Sequence, residues 1–183
     1  QRFLKEDARF KRRGFDDIEK GTLLFDYISY LEHFKPEVFL LENVPGLLNI
    51  DGGKQLDSAL ARLRSIGYKH TEPRILEAAD YGVPQYRRRL IIWGALSLRQ
   101  QPSPPEPTHG GGFFFREHNT VAQALQNVTE ALPNHEPRQH KESSVARYRT
   151  LGFGKREKLG RVDRLDPEKP SKTVIAGGMN GGG

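Results

Sequence analysis

The chain of 183 residues has no cysteine, one methionine and one tryptophan. Within these residues there is therefore no disulfide, no thiolate metal ligand and no cysteine nucleophile. Long hydrophobic runs are also missing. Only 36% of residues are apolar and mean hydropathy is −0.68, and nothing approaches the roughly 20 apolar residues of a membrane-spanning helix. No basic stretch followed by an apolar core and a cleavage site opens the chain. The expectation is a soluble, cytoplasmic protein. Acids are the minority charge, with 23 Asp and Glu against 29 Lys and Arg, for a net charge of +6 and a pI of about 9.6. That balance suits a polyanionic partner, although a charge run taken alone is more often a solvated face. His33, His70, His109, His118, His135 and His140 show no metal-ligand spacing with carboxylates, so no metal is expected. Gln1 at one end, and five glycines in the last seven residues at the other, look like cut ends, and a fragment is expected. Those glycines lack the Lys-Ser/Thr of a phosphate-binding loop.

What is present reads as α/β. Residues 1–20 are polar, with Arg2, Lys5, Arg9, Lys11, Arg12 and Arg13 forming a basic loop, although a frayed terminus would look the same. Leu23, Leu24, Tyr27, Ile28, Leu31 and Phe34 are spaced for one apolar face of a helix over 17–34, capped by Asp16 or Asp17 and ended by Pro36. A strand is predicted over 38–41 and an amphipathic helix over 55–66, closed by Gly67. Strands follow at 71–77 and 88–94, close enough to pair as a hairpin. Pro102, Pro104, Pro105 and Pro107 before Gly110–Gly112 mark a linker over 100–112. Beyond it come a helix over 121–132, a basic stretch over 138–164 with nine Lys or Arg against three acids, and a short strand over 173–176. The expected domains are thus an α/β unit over 1–99, a linker, and a small irregular basic module over 113–183.

Two elements carry candidate chemistry. The apolar run Val38–Leu41 stops abruptly at Glu42, Asn43 and the turn proline Pro45. A buried strand ending this way delivers a carboxylate to the sheet rim, where open α/β sheets bind ligands. Taken alone, Glu42 reads first as a cap on the next turn or a partner of a surface lysine. The second element, Asp80-Tyr81-Gly82-Val83-Pro84-Gln85-Tyr86-Arg87-Arg88-Arg89, runs into the strand Leu90–Trp93. Strand side chains alternate, so Gln85, Arg87 and Arg89 share a face and Arg88 points away. A solvated edge strand guarded by arginines is the plainer reading of that triplet.

Together these segments resemble the DNA cytosine-C5 methyltransferases of bacterial restriction–modification systems. Pro-Glu-Val-Phe-Leu-Leu-Glu-Asn-Val is similar to their sixth block and Tyr-Gly-Val-Pro-Gln-x-Arg-x-Arg to their eighth. Gly21–Asp26 resembles the fifth, and Pro105–His109 the exit into the target-recognition region. Arg164–Val174 resembles the segment closing that region. The resemblance implies a Rossmann-like S-adenosylmethionine-dependent methyltransferase sheet, of which 1–99 is part, followed by a target-recognition module. It implies methyl transfer from S-adenosylmethionine to C5 of cytosine in duplex DNA extruded from the helix, in a nucleoid-associated bacterial protein. By the same resemblance Glu42 meets the base at N3 and its exocyclic amine, and Arg87 contacts O2. Arg89 and Gln85 brace the site, Asn43 holds the turn through local backbone bonds, and Leu23 touches the cofactor. Arg12 and Arg13 in the mobile loop, and Lys155, Arg147, Arg149, Arg156, Arg161 and Arg164 in the recognition region, are candidate DNA contacts.

Departures from the family pattern are large. Its nucleophilic Pro-Cys, its glycine-rich cofactor motif and its last two blocks are not in this sequence. The chain alone is therefore expected to be inactive and marginally stable, with a complementary chain as one source of the missing motifs. Two other readings stand beside it: a non-catalytic DNA-binding or regulatory relative, and an RNA cytosine-C5 methyltransferase.

Overall fold

The computed structural model of the chain describes residues 23–111, 113–129, 132–133, 139–156 and 164–174. The basic loop over 1–20, with Arg12 and Arg13, lies outside the described residues, as do Arg161 and the terminal glycines. By its internal contacts the chain divides into two compact units. One comprises Gln1–Ile75 with Arg89–Pro104, the other Leu76–Arg88 with Pro105–Gly183.

The first unit holds α1 (Leu23–Phe34), β1 (Val38–Asn43), a 3₁₀ stretch over Pro45–Gly53 and α2 (Lys54–Ser65). It also holds most of β2 (His70–Glu77) and of β3 (Arg88–Ala95). The sheet order is β1-β3-β2, so the two strands expected to pair are neighbours. β1 runs antiparallel to β3, with Phe39 opposite Gly94, Glu42 opposite Ile91 and Asn43 opposite Leu90. Alternation along β3 puts Leu90 and Ile92 into the core beside Phe39 of β1. Helix α1 supplies Leu24, Ile28 and Leu31 to that core, and α2 supplies Leu56, Ala59, Leu60 and Leu63. Leu23, Tyr30 and Phe34 lie instead on an exposed face of α1. The single apolar face read from the sequence is therefore two stripes, and only the 24/28/31 stripe meets the core.

Two glycines set how closely this unit packs. Gly67 takes φ +116°, letting the Tyr68 N–H reach back to the Leu63 carbonyl at 3.0 Å and the Gly67 N–H to Arg64 at 3.2 Å. That is a Schellman end to α2, with Tyr68 and Leu63 both buried behind it. Gly94 faces the ring of Phe39, and a Cβ there would stand 2.6 Å from Phe39 Cε1 and 3.0 Å from the His70 carbonyl.

Among the described residues of the second unit, the buried side chains are Ala79, Val121 and Pro170, so hydrogen bonds carry much of its described structure. Helix α3 covers only Val121–Leu125, shorter than the 121–132 expected, although Thr120 and Gln123 form a capping box at its start. Past Val121 its residues are exposed, so nothing compensates the entropy of extending so short a helix. The basic stretch contains α4 (Glu142–Thr150), a helix with no buried residue and hence no apolar periodicity to announce it. Thr173 and Val174 are not in a strand; the bridging residue is Ser171, paired with Gln85, and 175–176 lie outside the described residues. No helix among the described residues is long and apolar enough to cross a membrane.

Candidate active site

The apolar alternation of β1 ends at Glu42, whose side chain is 53% exposed at the strand end. Its carboxylate meets Arg89 Nε at 2.6 Å. Because Glu42 lies opposite Ile91, Arg89, two residues before Ile91 in β3 and on the same face, is the diagonal neighbour that a long side chain can reach. The Arg89 side chain is only 20% exposed, so it reaches Glu42 from within the sheet face. Asn43 turns its Oδ1 back to accept the Val44 N–H at 2.8 Å, a local bond that ends the strand before Pro45 starts the 3₁₀ stretch. The carboxylate is thus paired with a guanidinium, at a strand end that closes at once into a turn.

The turn over 78–87 belongs to the second unit and is held from several directions. Glu77 Oε1 accepts the Arg87 N–H at 2.5 Å, and the Ala78 N–H donates to the Arg87 carbonyl at 3.1 Å. Asp80 Oδ1 pairs with His118 Nε2 at 2.9 Å, while the Asp80 carbonyl accepts the Thr108 and His109 N–H groups, both at 2.9 Å. Asn119 Nδ2 donates to the Gly82 carbonyl at 2.7 Å. On the other side the Tyr86 N–H donates to Ser171 O at 2.8 Å, the Ser171 N–H to Pro84 O at 2.9 Å, and Thr173 Oγ1 to Tyr86 O at 2.8 Å. Gln85 and Arg87 are half-buried and Arg88 is exposed, as strand alternation requires. Sequence reasoning missed Glu77, Asp80, His118, Ser171 and Thr173 as the groups shaping this turn. The Lys-Pro-Ser-Lys-Thr segment is visible in the sequence, but nothing local says that it clamps residues 84–86.

In the basic stretch, Arg147 and Arg149 stand exposed on the last turn of α4 and Lys155 and Arg156 follow it, exposed. Arg164 instead donates from Nη1 to the carbonyls of Leu151 at 2.7 Å and Arg149 at 3.3 Å, with its guanidinium 4.2 Å above the Phe153 ring. Leu23, the residue carried toward the cofactor, is exposed at the start of α1 beside Asp26 and Tyr30 in a shallow open depression. One exposed leucine and an open helix face do not make a pocket for an adenosine and a methionine. The described residues do not fit the cofactor by themselves. Among them no three His, Asp or Glu side chains cluster as metal ligands.

Comparison with known proteins supplies the class. The model of the C-5 cytosine-specific DNA methylases matches residues 9–169, and the chain belongs to that family. It is similar to the type II methyltransferase M.HpaII of Haemophilus parainfluenzae, 36% identical over 174 residues, covering 92% of this chain and 45% of that protein. It is also similar to the type II methyltransferase M.AgeI of Thalassovita gelatinovora, 42% identical over 97 residues, covering 53% of this chain and 22% of that protein. The chain therefore spans about half, or less, of the length of these relatives. A solved structure described as a DNA modification methyltransferase encoded within an E. coli prophage superposes with a TM-score of 0.63 at 20% identity, covering 80% of this chain and 55% of that one. The fold is accordingly an α/β methyltransferase fold.

Proposed function

We propose that this chain is the base-holding part of an enzyme that transfers a methyl group from S-adenosylmethionine to C5 of cytosine in duplex DNA. The observation that carries the reading is the Glu42–Arg89 pair at 2.6 Å, at the end of the Leu-Leu-Glu-Asn-Val strand of a family member. Residues 1–99 are then part of the catalytic domain and 113–183 the target-recognition region, joined by 100–112. S-adenosylmethionine is the methyl donor that the family implies.

C6 of cytosine is a poor electrophile. A nucleophile adding there pushes negative charge onto the ring, and the barrier falls when that charge is met by a proton or hydrogen bond at N3. Glu42 supplies that contact in its protonated form: one oxygen donates its proton to N3 as charge builds there, and the other accepts from the exocyclic amine. Arg89 keeps the carboxylate aimed, so no reorganisation is needed as the charge develops. Arg87 makes a charge-assisted contact to O2, and Gln85 and Asn43 support the base pocket. Arg12, Arg13, Arg147, Arg149 and Arg156 contact phosphates, which set affinity rather than sequence choice. The thiolate that the family uses against C6 is not among these 183 residues.

The test is methyl transfer by the full-length gene product to duplex DNA and to transfer RNA, with the product base identified. Appearance of 5-methylcytosine in DNA is expected. Methylation of RNA alone, or DNA binding with no transfer to either, contradicts the proposal.

A further inference from the structure

The second unit contains a cleft of about 160 Å³ lined by Tyr86, Gly154, Arg164, Asp166, Lys169 and Lys172, among others. Its size excludes a drug-sized ligand, whose pockets run from roughly 300 Å³ upward. Its charge disfavours a cation, because among the described lining residues three basic side chains stand against one carboxylate. Asp166 is already engaged: it accepts the Glu168 N–H at 3.1 Å and lies 3.3 Å from Lys169 Nζ. The walls are fixed by hydrogen bonds to backbone groups rather than by the lysines. Arg164 is tied to the Leu151 and Arg149 carbonyls, the Gly154 N–H donates to Arg164 O at 2.8 Å, and the Tyr86 N–H to Ser171 O at 2.8 Å. Lys169, with a side chain 68% exposed, has room to turn its ammonium inward.

We propose that this cleft is a phosphodiester site that seats one backbone phosphate of DNA against Tyr86, Lys169 and Lys172. The inference rests on the DNA reading above and deepens it. Lysines bind phosphate as compact point charges, and a tyrosine hydroxyl adds a directed donor. A phosphate seated here fixes the register of the strand relative to Tyr86, and so to Arg87 beside it in the chain. The role of Arg164 is then to build the wall of the site.

The test uses the full-length protein, its Lys169→Ala/Lys172→Ala variant and duplex DNA titrated with salt. The variant should lose affinity about equally on every sequence. Its slope of log affinity against log salt should flatten by about 0.9 for each phosphate that it no longer neutralises. Duplexes with one neutral methylphosphonate at successive positions locate the phosphate. Wild type should lose affinity at one position where the variant loses none. Tyr86→Phe should weaken binding without changing the salt slope. Wild type that binds DNA while the variant matches it in slope and scan overturns the cleft alone. Wild type with no salt-dependent DNA affinity contradicts the DNA reading, and this inference with it. Inorganic phosphate that shields both lysines from acylation, alongside a flat methylphosphonate scan, marks a free-phosphate site and overturns the DNA assignment.

Discussion

Glu42 and Arg89 meet at 2.6 Å on a diagonal between antiparallel strands β1 and β3, at the end of the sheet where β1 gives way to a turn. The register makes this contact: a slip of one residue would send Arg89 to the opposite face. Replacing Arg89 by Ala in the full-length protein should cost the pair at most about 1 kcal/mol, plus the packing of a side chain that is only 20% exposed. Turnover should fall far more, by about 100-fold if the carboxylate drifts by an ångström. Thermal melting and single-turnover rates measure the two effects separately. Equal turnover would show that Glu42 is not held in place by Arg89.

Thr173→Val removes the hydroxyl that donates to the Tyr86 carbonyl while keeping the shape of the side chain. The expected loss of stability is about 1 kcal/mol. Hydrogen exchange should quicken at the Tyr86 and Arg87 amides and stay unchanged at Leu90 and Ile92. Uniform change across both sets would mean that Thr173 does not act on this turn.

Gly94→Ala places a methyl group 2.6 Å from Phe39 Cε1, between two strands whose register cannot slide. Overpacking of this kind costs about 1–3 kcal/mol. A denaturant midpoint lowered accordingly is expected. Phe39→Leu in the same chain should recover part of the loss, because it removes the atoms that clash.

Tyr68 is fully buried and donates to the Pro36 carbonyl at 2.7 Å. Burial, with the nearby Tyr27 adding to it, pushes its phenol above the ordinary value of 10.0. The unfolded chain therefore releases this proton at a lower pH than the folded one does. The stability linked to Tyr68 is whole below pH 10 and declines as pH rises above it. Tyr68→Phe should cost about 1 kcal/mol at neutral pH and flatten that alkaline decline. A decline of the same steepness in the variant would assign it to other groups.

Strong period and strong punctuation were legible without a structure. Leu24, Ile28 and Leu31, the α2 stripe and the Gly67 stop all fall where apolar spacing and turn chemistry put them. So does the switch from apolar strand to carboxylate at Glu42. Long-range partners were not legible. The diagonal to Arg89 depends on register, and the clamp on residues 84–86 comes from Ser171 and Thr173, more than eighty residues away. Helix α4 was missed because it buries nothing, and α3 was drawn too long because Leu125 and Val128 keep helical spacing yet remain exposed.

The central claim is that Glu42 meets the cytosine ring as charge develops on it. Glu42→Gln in the full-length protein tests it most directly, by single-turnover methyl transfer to duplex DNA with binding measured in parallel. The side chain keeps its size and position but loses its proton chemistry. DNA affinity within a factor of about two, with a rate about 10²–10⁴-fold lower, is the predicted result. An unchanged transfer rate would contradict the account.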